Sequence, residues 1–164
     1  MTTWTGRPSN RSGRGIRGLE WEAVLDQIEA LTSPGYTSYT PAWTATGTAP
    51  AIGNAVVTGR YRRSTDSDLV RVEFNIVFGT TSTYGTGTYR FSLPVAASTT
   101  AQTTTVGIAY LLDSGTIVRP GSTGFISSTT ISIASDSGEV GQTVPYTWTT
   151  SDQIRVTLEY EPAA

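Results

Sequence analysis

The chain contains no cysteine, no histidine and no lysine. Without cysteine there is no disulfide, no thiolate metal site and no thiol nucleophile. Without histidine there is no imidazole general base and no imidazole metal ligand. All eleven cationic side chains are arginine, so every basic group is a planar fork suited to carboxylates, phosphates and aromatic faces. Charge is sparse, at 15% of residues with a formal net of −2. No run approaches the ~18 to 20 apolar residues of a membrane-crossing helix, and residues 1–18 lack the apolar stretch of a signal peptide. No membrane partner is expected.

An enzyme written in this alphabet would have to work with carboxylates, hydroxyls or phenols. A glycosidase needs two carboxyl groups flanking a cleft. Beyond residue 35 the acids are Asp66, Asp68, Glu73, Asp113, Asp136, Glu139, Asp152, Glu159 and Glu161, and most fall in turn segments or on polar strand faces. Asp66 and Asp68 are near enough to share a hard cation, but no calcium-loop spacing surrounds them. No glycine-rich loop follows a strand and opens a helix. The expectation is a protein that is not an enzyme, with no catalytic residue, no metal and no cofactor.

What is present divides the chain into three parts. Residues 1–18 form an Arg/Gly/Ser arm, expected to be extended, with Arg7, Arg11, Arg14 and Arg17 preceding the first acid, Glu20. Such a composition suits either a disordered tail or an arm that orders on a partner. In the second case Trp4 and Ile16 would plug pockets while the four arginines pair with anions. The rest of the chain sets seven arginines against thirteen acids, and the arm has no interleaved aromatics, so nucleic acid is not the expected partner.

Leu19 to Leu31 is the one convincing helix. Trp21, Val24, Ile28 and Leu31 fall at a, d, a, d of two heptads, and Leu25 widens the stripe. Glu20 and Glu22 suit the positive end of the helix dipole, and Ser33-Pro34-Gly35 ends it. About 13 residues make a helix ~20 Å long, which is marginal alone in water. Its stripe must be buried, either on its own β domain or on copies from neighbouring chains. The 3.5-residue spacing favours the copies.

From residue 36 to 164 the grammar is β: Thr, Ser, Val, Ile and Tyr punctuated by Gly, Asn, Asp and Pro. The spacing predicts strands over 36–46, 55–63, 69–78, 88–94, 104–113, 116–119, 125–127, 130–134, 144–149 and 153–161. Polar loops are expected at 79–87, 97–103 and 135–142, and a hairpin turn at Asp113-Ser114-Gly115. The 104–113 strand is apolar enough to be covered on both faces. Strands this short, with turns every ~8 to 12 residues, imply a mainly β chain with an antiparallel β-sandwich or jelly-roll-like domain. Trp43, Tyr84, Tyr89, Tyr146 and Trp148 form either core or a sugar-stacking platform, as in a carbohydrate-binding module. Tyr84, in a Gly/Thr/Ser loop, is the least core-like of these and the best candidate for an exposed contact. Arg60 and Arg62, with Arg63, make a basic cluster on a strand, either solvated or in contact with a ligand or subunit.

Four segments carry a resemblance: Tyr39-Thr40-Pro41-Ala42-Trp43-Thr44, Ile52-Gly53-Asn54, Thr58-Gly59-Arg60-Tyr61-Arg62-Arg63 and Gly85-Thr86-Gly87-Thr88-Tyr89-Arg90-Phe91-Ser92-Leu93-Pro94. Together they resemble a β domain of tailed phages and prophages of actinobacteria, found in minor tail or fibre proteins. The resemblance implies a virion structural protein, displayed on the particle surface as a homotrimer and held to other virion proteins by its N-terminal arm. The resemblance leaves open which part of the virion carries it; the expectation is tail-associated host adhesion, for which a host cell-surface glycan is a candidate partner. Capsid decoration or a head fibre is the alternative, because trimeric β modules of this kind serve in both places.

Overall fold

The computed structural model of the chain describes residues 24–25, 35–64, 67–104 and 107–164. The chain divides into two compact units, Met1–Ser33 and Pro34–Ala164. In the first unit Val24 and Leu25 are helical. The arm residues Trp4, Arg7, Arg11, Arg14, Ile16 and Arg17, and the stripe residues Trp21, Ile28 and Leu31, lie outside the described residues, as does Asp66.

The second unit is mainly antiparallel β, as expected. Its strands are β1 (Thr37–Ser38), β2 (Trp43–Ala45), β3 (Val56–Arg63), β4 (Val70–Val77), β5 (Tyr89–Ser92), β6 (Gly107–Asp113), β7 (Ile117–Ser127), β8 (Thr130–Ser135), β9 (Gly138–Glu139) and β10 (Gln153–Tyr160), with one short helix, α1 (Thr99–Thr104). They pair in the order β1-β3-β4-β10-β6-β7-β8-β5-β2, with β9 on β8. Alternation drives the two clearest strands. Val70, Val72, Phe74 and Ile76 of β4 are buried, as are Ile154, Val156, Leu158 and Tyr160 of β10. Ile76 lies opposite Ile154, and Phe74 opposite Val156. Each side chain of this size contributes about 1.5–3 kcal/mol on full burial, so one slip of register, which would turn both apolar rows outward, is strongly disfavoured.

The sheet curls until distant strands meet. Four strands separate β4 from β5 along the pairing order, yet the rings of Phe74 and Phe91 lie 5.4 Å apart. Trp43 of β2 packs 5.1 Å from Phe78, just beyond β4. The two edges, β1 and β2, are consecutive in the chain, and residues 39–42 cross from one to the other. Tyr39 N–H donates to the Gly59 carbonyl at 2.9 Å, and Ser92 N–H donates to the Ala42 carbonyl at 3.0 Å. Ala42 N–H donates to Ser92 Oγ at 2.8 Å, and the Tyr39 hydroxyl donates to the Ser92 carbonyl. The crossing puts the short strands β1 and β2 at the two ends of the pairing order. It needs glycine at 59, where a Cβ would sit 2.4 Å from the Tyr39 carbonyl oxygen.

Four expectations are corrected. Residues 97–103 are not all loop: α1 forms there, with Ser98 Oγ accepting the Ala101 N–H at 3.0 Å as an N-cap. The expected strands 116–119 and 125–127 are one long strand, β7. Pro120 is tolerated within it because residues 117–120 pair only with β6, while pairing with β8 begins at Gly121. Residues 144–149 are irregular, Pro145 having no N–H for a ladder. Trp148 there turns its indole N–H to the Gly141 carbonyl at 2.8 Å. Strand β6 is covered on one face only: Ala109 and Leu111 are buried, while Ile108 is 70% exposed.

Candidate binding face

The outer surface of β3, β4, β10, β6 and β7 is a continuous grid of cross-strand rows. One row runs Thr58, Asn75, Arg155, Tyr110, Pro120, each residue directly opposite the next. The adjoining row runs Arg60, Glu73, Thr157, Ile108, Ser122. The β3–β4–β10 half is polar and charged. The β6–β7 half is apolar, with Ile108, Tyr110, Leu112, Val118 and Pro120 facing outward. Strand alternation produces this division, because residues 70, 72, 74, 76 and 154, 156, 158, 160 all turn to the core.

Glu73 is the charge centre of the polar half. Arg60 donates to it through Nε at 2.8 Å and approaches through Nη2 at 2.7 Å. Arg71 donates through Nε at 2.8 Å, and the Tyr36 hydroxyl at 3.3 Å. Burial pushes the Glu73 carboxyl up, but hydrogen bonds from Arg60 and Arg71 and their positive charges outweigh it and hold it below its ordinary range. The Arg60 guanidinium lies 4.1 Å from the centre of the Tyr36 ring, and that of Arg62 lies 5.4 Å from it, a cation–π arrangement that fixes both. Among the described residues neither Arg62 nor Arg155 has a carboxylate partner within ion-pair distance. Arg155 instead donates to Gln153 Oε1 at 2.6 and 3.1 Å and lies over the Tyr110 ring.

A concavity of about 400 Å³ opens in this half, lined by Thr58, Arg60, Glu73, Asn75, Arg155 and Thr157 with the strand backbones beneath. Asn75 Oδ1 is buried there without a donor. The arrangement offers hydroxyls, an amide and two guanidinium forks, and among the described residues no three metal-ligating side chains converge.

The aromatic platform does not form. Trp43, Tyr89 and Trp148 are buried, and Tyr146 packs on Trp148 with centroids 4.7 Å apart. Tyr84 is half-buried, edge-on to Phe78 at 5.1 Å and to Trp43 at 6.4 Å, and its carbonyl accepts the Tyr89 hydroxyl. The expectation of an exposed Tyr84 is therefore corrected: its Gly/Thr/Ser loop folds back over the core. Of the three candidate contacts, Arg60 and Arg62 come together on the outer face, and Tyr84 lies apart from them. Sequence reasoning missed Asn75, Arg155 and Thr157, which gave no local signal.

The segments behind the resemblance serve the frame. Residues 39–44 carry the edge-to-edge crossing. Asn54 laces two loops: its Oδ1 accepts the Thr81 N–H at 2.9 Å and its Nδ2 donates to Thr80 Oγ1 at 3.1 Å. At Gly85, φ is +58°, and a Cβ would lie 2.2 Å from the Thr48 carbonyl oxygen. Residues 58–63 alone put side chains on the outer face. Comparison with protein-family models, with curated proteins and with solved structures finds no match.

Proposed function

We infer that this chain is a non-enzymatic structural protein of a tailed-phage virion, with a tail-associated role in host adhesion. It is trimeric, anchored by its N-terminal arm, and displays the β unit outward. The observation that carries the reading is the resemblance of the segments between Tyr39 and Pro94. Those residues are spread over the edge crossing, the loop lacing and one strand of the outer face, so the resemblance concerns the frame of a whole domain rather than one loop. The composition supports it, since a Thr-rich β surface without cysteine or histidine is chemically inert when exposed. The apolar β6–β7 half offers a surface for neighbouring copies, and closed cyclic symmetry is the ordinary outcome of such contacts.

Capsid decoration is the second reading, and the helix expected from the sequence over residues 19–31 favours it: at ~20 Å such a helix would be short for the stalk of a long fibre. Cryo-microscopy of purified particles distinguishes the two. Density for the β unit at the tail supports adhesion, and copies at every capsid three-fold or hexamer centre support decoration. A chain lacking residues 1–18 is expected to fold and to be absent from particles; its normal incorporation would remove the arm as anchor.

A further inference from the structure

We propose that the concavity on the β3–β4–β10 face binds an acidic oligosaccharide, a glycan carrying sugar carboxylates. This deepens the adhesion reading and rests on it for the source of the ligand, while the chemistry rests on the face itself.

Six side chains form a two-by-three grid. Thr58, Asn75 and Arg155 lie opposite one another in one row, and Arg60, Glu73 and Thr157 in the next. Strands stand about 4.8 Å apart and alternate residues on one face about 7 Å apart, so the grid covers the footprint of one or two sugar rings. Its volume, about 400 Å³, lies within the range of small-ligand sites.

Charge selects an anion. The outer face carries Arg60, Arg62, Arg71 and Arg155 against Glu73 and Glu159, whereas the chain as a whole is negative. Glu73 is already occupied by Arg60 and Arg71. Arg155 is the wall cation with no carboxylate partner among the described residues, and its orientation is held by Gln153 and the Tyr110 ring. A fork fixed in this way presents paired N–H donors to a carboxylate.

The uncharged groups of the wall narrow the class further. The Thr58 and Thr157 hydroxyls stand at opposite corners of the grid and can donate or accept. A bare anion brings only acceptors and leaves half of that capacity unused. A sugar ring brings hydroxyls that do both, while a carboxylate on the same ring accepts from Arg155. Asn75 Oδ1 lies beneath the surface without a donor, out of the ligand's reach.

The full-length chain is titrated calorimetrically with tetragalacturonate, with maltotetraose as the uncharged match and sodium sulfate as the bare anion. Binding of tetragalacturonate alone is expected, weakening as salt rises from 50 to about 200 mM. Arg155→Gln should weaken it at least tenfold, Thr157→Val should weaken it several-fold, and Arg155→Lys should lose most of it because the fork is gone. Arg63→Gln removes the same charge at the exposed end of β3 and should leave affinity within about twofold. Melting transitions recorded for every variant separate lost binding from lost folding. No heat at millimolar tetragalacturonate, equal binding of maltotetraose or sulfate, or full affinity in Arg155→Gln would overturn the proposal. Failure of the titration by a chain found on the tail would leave display standing and remove only the ligand.

Discussion

The carboxylate of Asp152 accepts the backbone N–H of Ser114 at 2.8 Å through Oδ1. Its Oδ2 accepts the Thr149 N–H at 2.6 Å. One fully buried carboxylate therefore ties the β6–β7 hairpin to the turn that launches β10, and so fixes the strand that sits between β4 and β6. Replacing it leaves backbone donors without their acceptor. Asp152→Ala is expected to cost about 2–3 kcal/mol, read as a lower urea midpoint at unchanged m-value. A loss within about 0.5 kcal/mol would show that water serves these donors equally well.

Closure of the sheet depends on the approach of Tyr39 to Gly59. A methyl at 59 would meet backbone, which cannot rotate away, so Gly59→Ala should destabilise by about 1–3 kcal/mol. Tyr39→Phe keeps the ring and removes only the hydroxyl that reaches Ser92, with an expected cost of about 1 kcal/mol. Hydrogen exchange should show faster exchange of the Tyr39 and Ser92 amides in both variants, with the β4–β10 ladder still protected. Global acceleration instead would mean that the crossing and the sheet open as one unit.

Alternation made β3, β4 and β10 legible, and the Asp113-Ser114-Gly115 turn was written in its residues, Gly115 adopting a φ of +80°. The misses have physical causes. Thr99–Thr104 reads as a polar loop because threonine is a weak helix former, and the Ser98 cap that starts the helix is seen only in the structure. Strand β7 reads as two strands because proline ordinarily ends pairing, and nothing local reveals that β8 pairs only beyond Pro120. Buried Trp43 and Trp148 look the same in sequence as a stacking platform, since both need aromatics among β-rich residues. The row Thr58–Asn75–Arg155 was invisible for another reason. It exists only because β10, last in the chain, inserts between β4 and β6.

Stability should fall away on both sides of neutral pH, with a different set of groups on each side. Burial pushes the Glu139 carboxyl up, but hydrogen bonds from Arg90 and Ser132 and the charge of Arg90 outweigh it, so Glu139, like Glu73, lies below the ordinary 4.5. A carboxyl depressed in the folded state stabilises fully above its unfolded value and loses that contribution as pH falls through the folded one. Urea midpoints should therefore drop progressively below about pH 4.5, and Glu73→Gln should be less stable at pH 7 with a shallower acid limb. On the alkaline side burial raises the phenols of Tyr39, Tyr84, Tyr89, Tyr146 and Tyr160 above the ordinary 10.0. Their contribution is complete below the unfolded value and is lost as pH climbs towards the folded ones. A midpoint that stays flat from about pH 10 to 12 would contradict that burial.

Ile108 tests how copies meet. Its side chain is 70% exposed in the single chain, beside Tyr110 on the apolar half of the outer face, and a charge there should barely disturb the isolated β unit. Within a contact between copies the same charge would be desolvated without a partner, which is strongly unfavourable. Wild-type chain is expected at three times the monomer mass by light scattering after size exclusion, and Ile108→Asp at the monomer mass with an unchanged far-ultraviolet spectrum. Thr143→Asp, on an exposed turn, should remain trimeric. A trimer that survives Ile108→Asp would move the contact to the stripe of Trp21, Val24, Ile28 and Leu31, leaving the β6–β7 face open. A wild-type chain that is monomeric at micromolar concentration would remove both, and the arm would then have to position single copies on the particle by itself.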